Sequence, residues 1–172
     1  EEVKKLGLHC KGKIVFYNRP MDNTQLRTFT AYGDCVDQRV FGASTAAEYG
    51  ALAVLVRSMS TTSHHVAHTG VMIYNDPLQK IPAMAISTRD ADLLSAMMKT
   101  EKVKIFLHNE VKMLDDRPSY SVVGEYFGTE DRNKVIVVGG HLDSWDVGQG
   151  AHDDGAGVVH SAEALHLLIR NG

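Results

Sequence analysis

The chain has little cysteine and proline and no long apolar run. Its two cysteines, Cys10 and Cys35, are too few for a disulfide framework and lack the CxxC spacing of a thiolate zinc site, so they leave the cellular compartment open. No apolar stretch approaches the roughly 20 residues that span a bilayer. Residues 1–13 also lack the charged-then-apolar order of a signal peptide. We therefore expect no membrane span.

A strong excess of charge of either sign is also missing. The formal net charge is -3, and charged residues make up 23% of the 172 residues. This balance does not give the basic footprint of a nucleic-acid binder, so we expect no nucleic acid among the partners. A hydrophobic fraction of 44% is enough for a real core, in one ordinary domain or two small ones.

The first part of the chain shows an alternation that is typical of an α/β fold. A β-branched and aromatic run at 12–18 predicts a strand, 36–49 predicts a helix, and 51–58 predicts a buried strand. Such a strand, helix and strand unit favours a parallel or mixed sheet with helices on its faces. We further predict a long loop over 58–79, a strand at 80–88, a helix from 89 to 99 capped by Thr88, and a strand at 102–109.

Residues 110–120 are polar and contain a proline, which makes them the best domain boundary. Beyond them, 121–128 and 134–142 predict two strands, and the second is apolar enough to be central and buried. Residues 155–172 predict a helix with an inward apolar stripe. That stripe comprises Val159, Ala162, Leu165, Leu168 and Ile169.

The segment GGHLDSWDVGQGAHDDGAG, residues 139–157, concentrates ligand-type side chains where the apolar strand ends. His141 and Asp143 are two residues apart, so their side chains leave the strand on the same face. Asp153 and Asp154 follow in a glycine-flanked turn before the helix. Imidazole and carboxylate are both zinc ligands, and adjacent carboxylates in a cleft call for a compensating cation. The combination predicts a metal site.

Each of these residues also has a structural interpretation. Asp154 could serve as the N-cap of the following helix, and glycine and aspartate fill many ordinary surface turns. For any single aspartate we favour the structural role. The HxD pair at a strand end, followed by GxxDDGxG, favours metal binding when it is taken as a whole.

The motif VVGGHLDSWDVGQGAHDDGAG and the helix after it resemble the metal-binding segment of the co-catalytic di-zinc exopeptidases, the family of leucyl-type aminopeptidases and glutamate carboxypeptidases. Upstream, GKIVFYN, GALAVLVRS, HTG and KIPAMAIST resemble a protease-associated insert. The resemblance implies a protease-associated-type α/β insert over 1–115, incomplete at its N-terminus. Residues 116–172 would be the N-terminal part of the catalytic domain, the first strands and first helix of a mixed-sheet α/β domain that is incomplete at its C-terminus.

The resemblance also assigns roles within the motif. His141 would be a ligand of one zinc, and Asp153 would bridge both of the two zinc ions. Asp143 would be the catalytic-site aspartate that hydrogen-bonds and orients the ligand histidine. Asp154 would support Asp153, following it through an unusual peptide bond that can be cis. Two zincs sharing a water lower its pKa and polarise the scissile carbonyl, so the implied reaction is hydrolysis of a terminal peptide bond.

One departure from the family pattern limits this expectation. The family's general base and a further ligand come as a Glu-Glu pair after the helix, and after Asp154 this chain has a single acidic residue, Glu163. We therefore expect a fragment that is inactive by itself and binds metal weakly. The alternative is a non-catalytic receptor-like or interaction module that retains the peptidase fold. A metallophosphoesterase is disfavoured by the resemblance of the insert.

The resemblance implies a small peptide or dipeptide as substrate and a secreted, periplasmic or lysosomal location. It leaves open a homodimer and the choice between aminopeptidase and carboxypeptidase specificity. Outside the motif, three histidines in the long loop suggest a second metal site, but solvated histidines are the better interpretation. These are His64, His65 and His68. Trp145 and Asp146 are candidates for the mouth of the cleft, although a lone tryptophan more often packs.

Overall fold

A computed structural model describes residues 2–75, 80–112, 114–145 and 148–171 of the chain. The chain divides into two compact units, Glu1–Glu110 and Val111–Gly172. Within the described ranges, no helix is both long enough and apolar enough to cross a membrane.

The first unit is built on a three-stranded parallel sheet. Strand β1 is Ile14–Tyr17, β2 is Ala53–Arg57 and β3 is Ala83–Ile86, and β2 lies in the centre. In the register, Val54 pairs with Val15 on one side and with Ala83 on the other. The α/β class and these three predicted strands are confirmed.

Helices connect and cover this sheet. They are α1 Glu2–Leu6, a 3-10 helix Gly7–Cys10, α2 Thr28–Val40, α3 Gly42–Glu48 and α4 Thr88–Thr100. The single helix predicted over 36–49 was wrong, because helical structure begins at Thr28 and is divided near Phe41. The buried residues of α2 are Ala31, Cys35 and Gln38, a stripe at helical spacing whose small and polar members hide its amphipathic character.

The core of the first unit lies where α2 and α3 meet the central strand. Val54 and Val56 alternate along β2 and so point to the same face of the sheet. Val54 packs with Ala43, Ala46 and Ala51, whereas Val56 packs in a second cluster with residues of α2 that include Cys35. Cys10 and Cys35 are both buried and both free.

The start of α4 differs from the sequence prediction. Ser87 is the N-cap, and its Oγ accepts a hydrogen bond from the Asp90 amide at 3.0 Å. Thr88, predicted as the cap, is instead the first residue of α4. Its hydroxyl donates to the Thr62 carbonyl at 2.9 Å and accepts from the His64 amide at 3.0 Å. Thr88 therefore holds the loop after β2. Tertiary packing decides that the hydroxyl of Ser87, and not that of Thr88, caps the N-terminus of α4.

The second unit contains helix α5, Gly155–Asn171, as predicted. The strands predicted at 121–128 and 134–142, and the one at 102–109 in the first unit, are not formed. Within the described ranges, every strand pairing lies among β1, β2 and β3. A strand requires a hydrogen-bonded neighbour, and apolar composition alone does not supply one. No mixed sheet is present in the described part of this unit.

Burial in the second unit also departs from prediction. The strand predicted at 134–142 was expected to be central and buried, but Ile136 and Val137 are 91% and 85% exposed. The predicted inward stripe of α5 is likewise wrong, because none of its residues is buried and Val159 is 65% exposed. An apolar pattern states which face prefers burial, but burial itself depends on what packs there.

Candidate metal centre

The structure brings His141 and Asp153 together although they are 12 residues apart in the chain. His141 follows the apolar run at 134–138, and Asp153 lies two residues before the first residue of α5. The Nε2 atom of His141 is 3.0 Å from Oδ1 of Asp153. The pair predicted from the sequence therefore meets in space, with an imidazole nitrogen and a carboxylate oxygen side by side.

The other imidazole nitrogen of His141 faces Asp143. Nδ1 is 2.9 Å from the backbone carbonyl of Asp143 and 3.1 Å from its carboxylate Oδ1. A proton on Nδ1 satisfies these acceptors, which leaves Nε2 to carry the lone pair that a metal needs. The predicted contact between Asp143 and His141 is present. The contribution of the backbone carbonyl was not predicted, because sequence spacing shows side chains and not peptide orientation.

Asp154 contacts the same histidine through the backbone. Its carboxylate Oδ2 accepts the His141 amide hydrogen at 3.1 Å, and its carbonyl accepts from Val158 at 3.0 Å, in the first turn of α5. The peptide bond between Asp153 and Asp154 is cis. Asp154 thus lies where a cap residue would, and it also links the two segments that carry His141 and Asp153.

Further hydrogen bonds connect described residues between these segments. Ser144 Oγ donates to the Gly148 carbonyl at 3.1 Å, and Gly150 has a positive φ of 63° that disfavours residues with a side chain. The Gly150 carbonyl accepts from the Gly155 amide at 2.8 Å, which fixes the turn against the start of α5. Trp145 is half exposed. Asp146, the other candidate for the cleft mouth, lies outside the described residues.

The candidate ligands are open to solvent, and their contacts favour a protonated imidazole. The side chain of His141 is 50% exposed and that of Asp153 is 75% exposed. The pKa of His141 is raised above 6.5, first by the hydrogen bond to the Asp143 carbonyl and then by the one to the Asp153 carboxylate. Protonation therefore stabilises this arrangement in the absence of metal.

We expect the imidazole of His141 to titrate above pH 6.5, as measured by NMR of the metal-free chain. The raised pKa means that the stabilising contribution is fully present below about pH 6.5 and is lost as the pH rises through the folded-state pKa. Asp153→Asn should lower the midpoint by removing a charged acceptor. Asp143→Asn should lower it less, because the backbone carbonyl, the first cause of the shift, remains. A midpoint at or below 6.5 in the unmodified chain would contradict the geometry.

The donor set fits zinc in part. Imidazole nitrogen and carboxylate oxygen are ligands that zinc takes, and here the two are adjacent and accessible. A catalytic zinc commonly has three protein ligands. In the ranges that the structure describes, no group of three or more histidine, cysteine, aspartate or glutamate side chains is arranged to hold a metal. His141 and Asp153 therefore fit an incomplete ligand set.

The loop histidines are held differently. The rings of His64 and His68 lie next to each other, tilted by 33° and with their centroids 4.8 Å apart. Backbone amides tie both residues to the unit, since His64 donates to Thr88 and His68 donates to Ser58 Oγ at 2.8 Å. The prediction of solvated histidines is confirmed for His65, which is exposed, whereas His64 and His68 are partly buried. The HTG sequence at 68–70 lies against the Arg39 guanidinium.

Comparison with known proteins bears on this site directly. Residues 121–172, which contain the whole cluster, match the family model of Peptidase family M28. Carboxypeptidase Q of Homo sapiens is 41% identical over 169 residues, which is 98% of this chain and 34% of that protein. Leucine aminopeptidase 2 of Trichophyton equinum is 32% identical over 79 residues, 46% of this chain and 16% of that protein.

A solved structure is similar as well. The crystal structure of a Peptidase M28 precursor from Shewanella amazonensis SB2B has a TM-score of 0.53 and 36% sequence identity, covering 58% of this chain and 23% of that one. The sequence and the fold of this chain are therefore similar to those of M28 peptidases, which confirms the resemblance drawn from the motif. Over nearly its whole length the chain is similar to carboxypeptidase Q, and it spans about a third of the length of those relatives.

Proposed function

We propose that this chain is part of a zinc-dependent exopeptidase that hydrolyses terminal peptide bonds of small peptides or dipeptides. The observation that supports this best is the approach of His141 Nε2 to Asp153 Oδ1 within the segment that matches the M28 family. Two ligand types of zinc meet there, on a chain whose relatives include carboxypeptidases and an aminopeptidase by name.

In this proposal, His141 would hold one zinc ion through Nε2, and Asp153 would serve as a ligand to both ions. Asp143 keeps the proton at Nδ1 of His141, and Asp154 supports Asp153 from the following position. When bound, the two ions lower the pKa of a water and polarise the scissile carbonyl. The protein residues fix the ligand geometry, and the accessible faces of His141 and Asp153 leave room for the substrate.

We propose that residues 1–115 form a protease-associated insert, and the parallel α/β sheet of the first unit supports this. We also propose a secreted, periplasmic or lysosomal location for the whole enzyme. After Asp154 the 172 residues contain no Glu-Glu pair that could supply a general base. We therefore propose that this chain alone does not hydrolyse dipeptides, even when it is saturated with zinc.

A graft tests the proposed activity. The aligned 169-residue segment of human carboxypeptidase Q is replaced by the corresponding segment of this chain, and zinc-dependent dipeptide hydrolysis is measured. We expect the graft to be active, and His141→Ala or Asp153→Ala to lower kcat/KM by at least about 100-fold. His160→Ala, an exposed position on α5, should leave the activity unchanged.

One result would contradict the proposed activity, and another would contradict the proposed inactivity of this chain by itself. A graft that folds, as judged by near-UV circular dichroism, yet binds no zinc and hydrolyses nothing would favour the non-catalytic module instead. Zinc-dependent hydrolysis by the 172-residue chain alone would show that its own residues complete the site.

A further inference from the structure

We propose that Asp154 is a positioning residue whose carboxylate acts on the backbone of His141, so that it sets the distance between the two metal ligands. This inference rests on the proposed zinc site. It differs from the support of Asp153 described above, because the group that is held is the His141 amide. The carboxylate Oδ2 accepts that amide hydrogen at 3.1 Å.

Burial separates Asp154 from the other aspartates of the cluster. The side chains of Asp143 and Asp153 are 88% and 75% exposed, whereas Asp154 is only partly exposed. Asp143 and Asp153 face the solvent from which a metal or a substrate arrives. Asp154 faces the protein, and its carboxylate is directed toward the chain segment that precedes His141.

Two glycines make the space for this carboxylate. A Cβ added to Gly140 would lie 2.9 Å from Asp154 Oδ2 and 2.5 Å from the amide nitrogen of Val158. A Cβ added to Gly157 would overlap Asp154 Oδ1 and lie 2.7 Å from Oδ2. Since real Cβ atoms do not approach other atoms this closely, the carboxylate fills a slot between the backbone before His141 and the first turn of α5.

This slot joins the two segments that carry the ligands. His141 is fixed by the Asp154 carboxylate, and Asp153 is the residue directly before Asp154 in the chain. The distance of 3.0 Å between His141 Nε2 and Asp153 Oδ1 is thus set at the backbone as well as by the side chains. A plain helix cap would satisfy amides of α5, but it would not reach across to the histidine.

The decisive variant is Gly157→Ala in the 172-residue chain. Alanine favours the helix over glycine, so α5 should gain helicity by circular dichroism. The added Cβ displaces the Asp154 carboxylate, so zinc affinity, measured by competition with a chromophoric chelator, should fall about tenfold. If Asp154 had only a structural role, Gly157→Ala would raise the helicity of α5 without lowering the zinc affinity.

Asp154→Ala should weaken zinc binding about tenfold, and Asp154→Asn, which keeps an acceptor oxygen, should stay within about threefold of the unmodified chain. In the Asp154→Ala background, Gly157→Ala should cause no further loss, since the clash is already gone. Gly139→Ala is the matched control, because a Cβ there meets nothing within 4 Å.

The His141 amide gives a readout that needs no metal. Its proton resonance should move upfield in Asp154→Ala and in Gly157→Ala, and it should stay in place in Gly139→Ala. If the 172-residue chain binds no zinc, the amide shifts alone still decide whether the Asp154 carboxylate holds the His141 backbone, while the graft decides on the proposed function. Unchanged amide shifts in Asp154→Ala, or unchanged zinc affinity in both variants of a zinc-binding chain, would overturn the inference. If Asp154→Ala does not fold, Gly157→Ala and Asp154→Asn carry the test.

Discussion

Val54→Asp is expected to unfold the first unit. Val54 is 0% exposed at the centre of the three-stranded sheet and packs against Ala43, Ala46 and Ala51. A carboxylate there would lose its hydration without any cation in this cluster, which costs several kcal/mol. Domain stabilities are typically about 5–15 kcal/mol, so this loss is enough to remove most or all of the stability.

Urea denaturation followed by far-UV circular dichroism checks this expectation. Val54→Ala, which only creates a cavity, should keep the fold and lower the free energy of unfolding by about 1–3 kcal/mol. Val66→Asp introduces the same charge at a position that is 61% exposed, and it should leave the midpoint of the unfolding transition unchanged. A Val54→Asp chain with the unfolding transition of the unmodified protein would show that Val54 is not in the core.

His141→Ala is expected to abolish the weak zinc binding of the 172-residue chain. Removing a group that hydrogen-bonds a metal ligand already costs about 10- to 100-fold in affinity, so the loss of the ligand itself should cost at least about 100-fold. Asp153→Ala should have a similar effect. Because zinc competes with the proton on Nε2, and the pKa of His141 is raised, affinity should fall as the pH drops below that pKa.

Isothermal titration with zinc at several pH values measures these effects. His160→Ala is the control, since His160 is exposed on α5 beyond the cluster. If His141→Ala binds zinc as tightly as the unmodified chain, the metal is held elsewhere. If affinity is the same at pH 5.5 and pH 7.5, His141 is not the group that the metal must deprotonate.

The fold of the first unit was largely predictable from the sequence. The runs that became β1 and β2 contain β-branched residues, and the run that became β3 follows Pro82. These local signals agree with the parallel sheet. The start of α2 was missed because its buried stripe is made of small and polar side chains. The choice of Ser87 over Thr88 as a cap could not be predicted, because both hydroxyls suit the role locally.

For the second unit, sequence reasoning selected residues that lie together in the structure, but it was wrong about the strands and their burial. The residues His141, Asp143, Asp153 and Asp154 were chosen from their types and spacing, and the structure brings them into mutual contact. The strands at 121–128 and 134–142 were predicted from apolar composition. Composition gives a preference for burial, whereas ladder pairing and burial are properties of neighbours.

By itself, the sequence determined the α/β class, the three strands of the first unit, the helix after the acidic pair and the ligand types of the candidate zinc site. These follow from local periodicity and from the chemistry of side chains, which the order of residues states directly. Only the tertiary structure decided that His141 Nε2 meets Asp153 and that the Asp143 carbonyl faces Nδ1. The same holds for the Asp154 carboxylate, which fills a slot between two glycines. Such contacts depend on backbone direction across a turn, which no short-range pattern encodes.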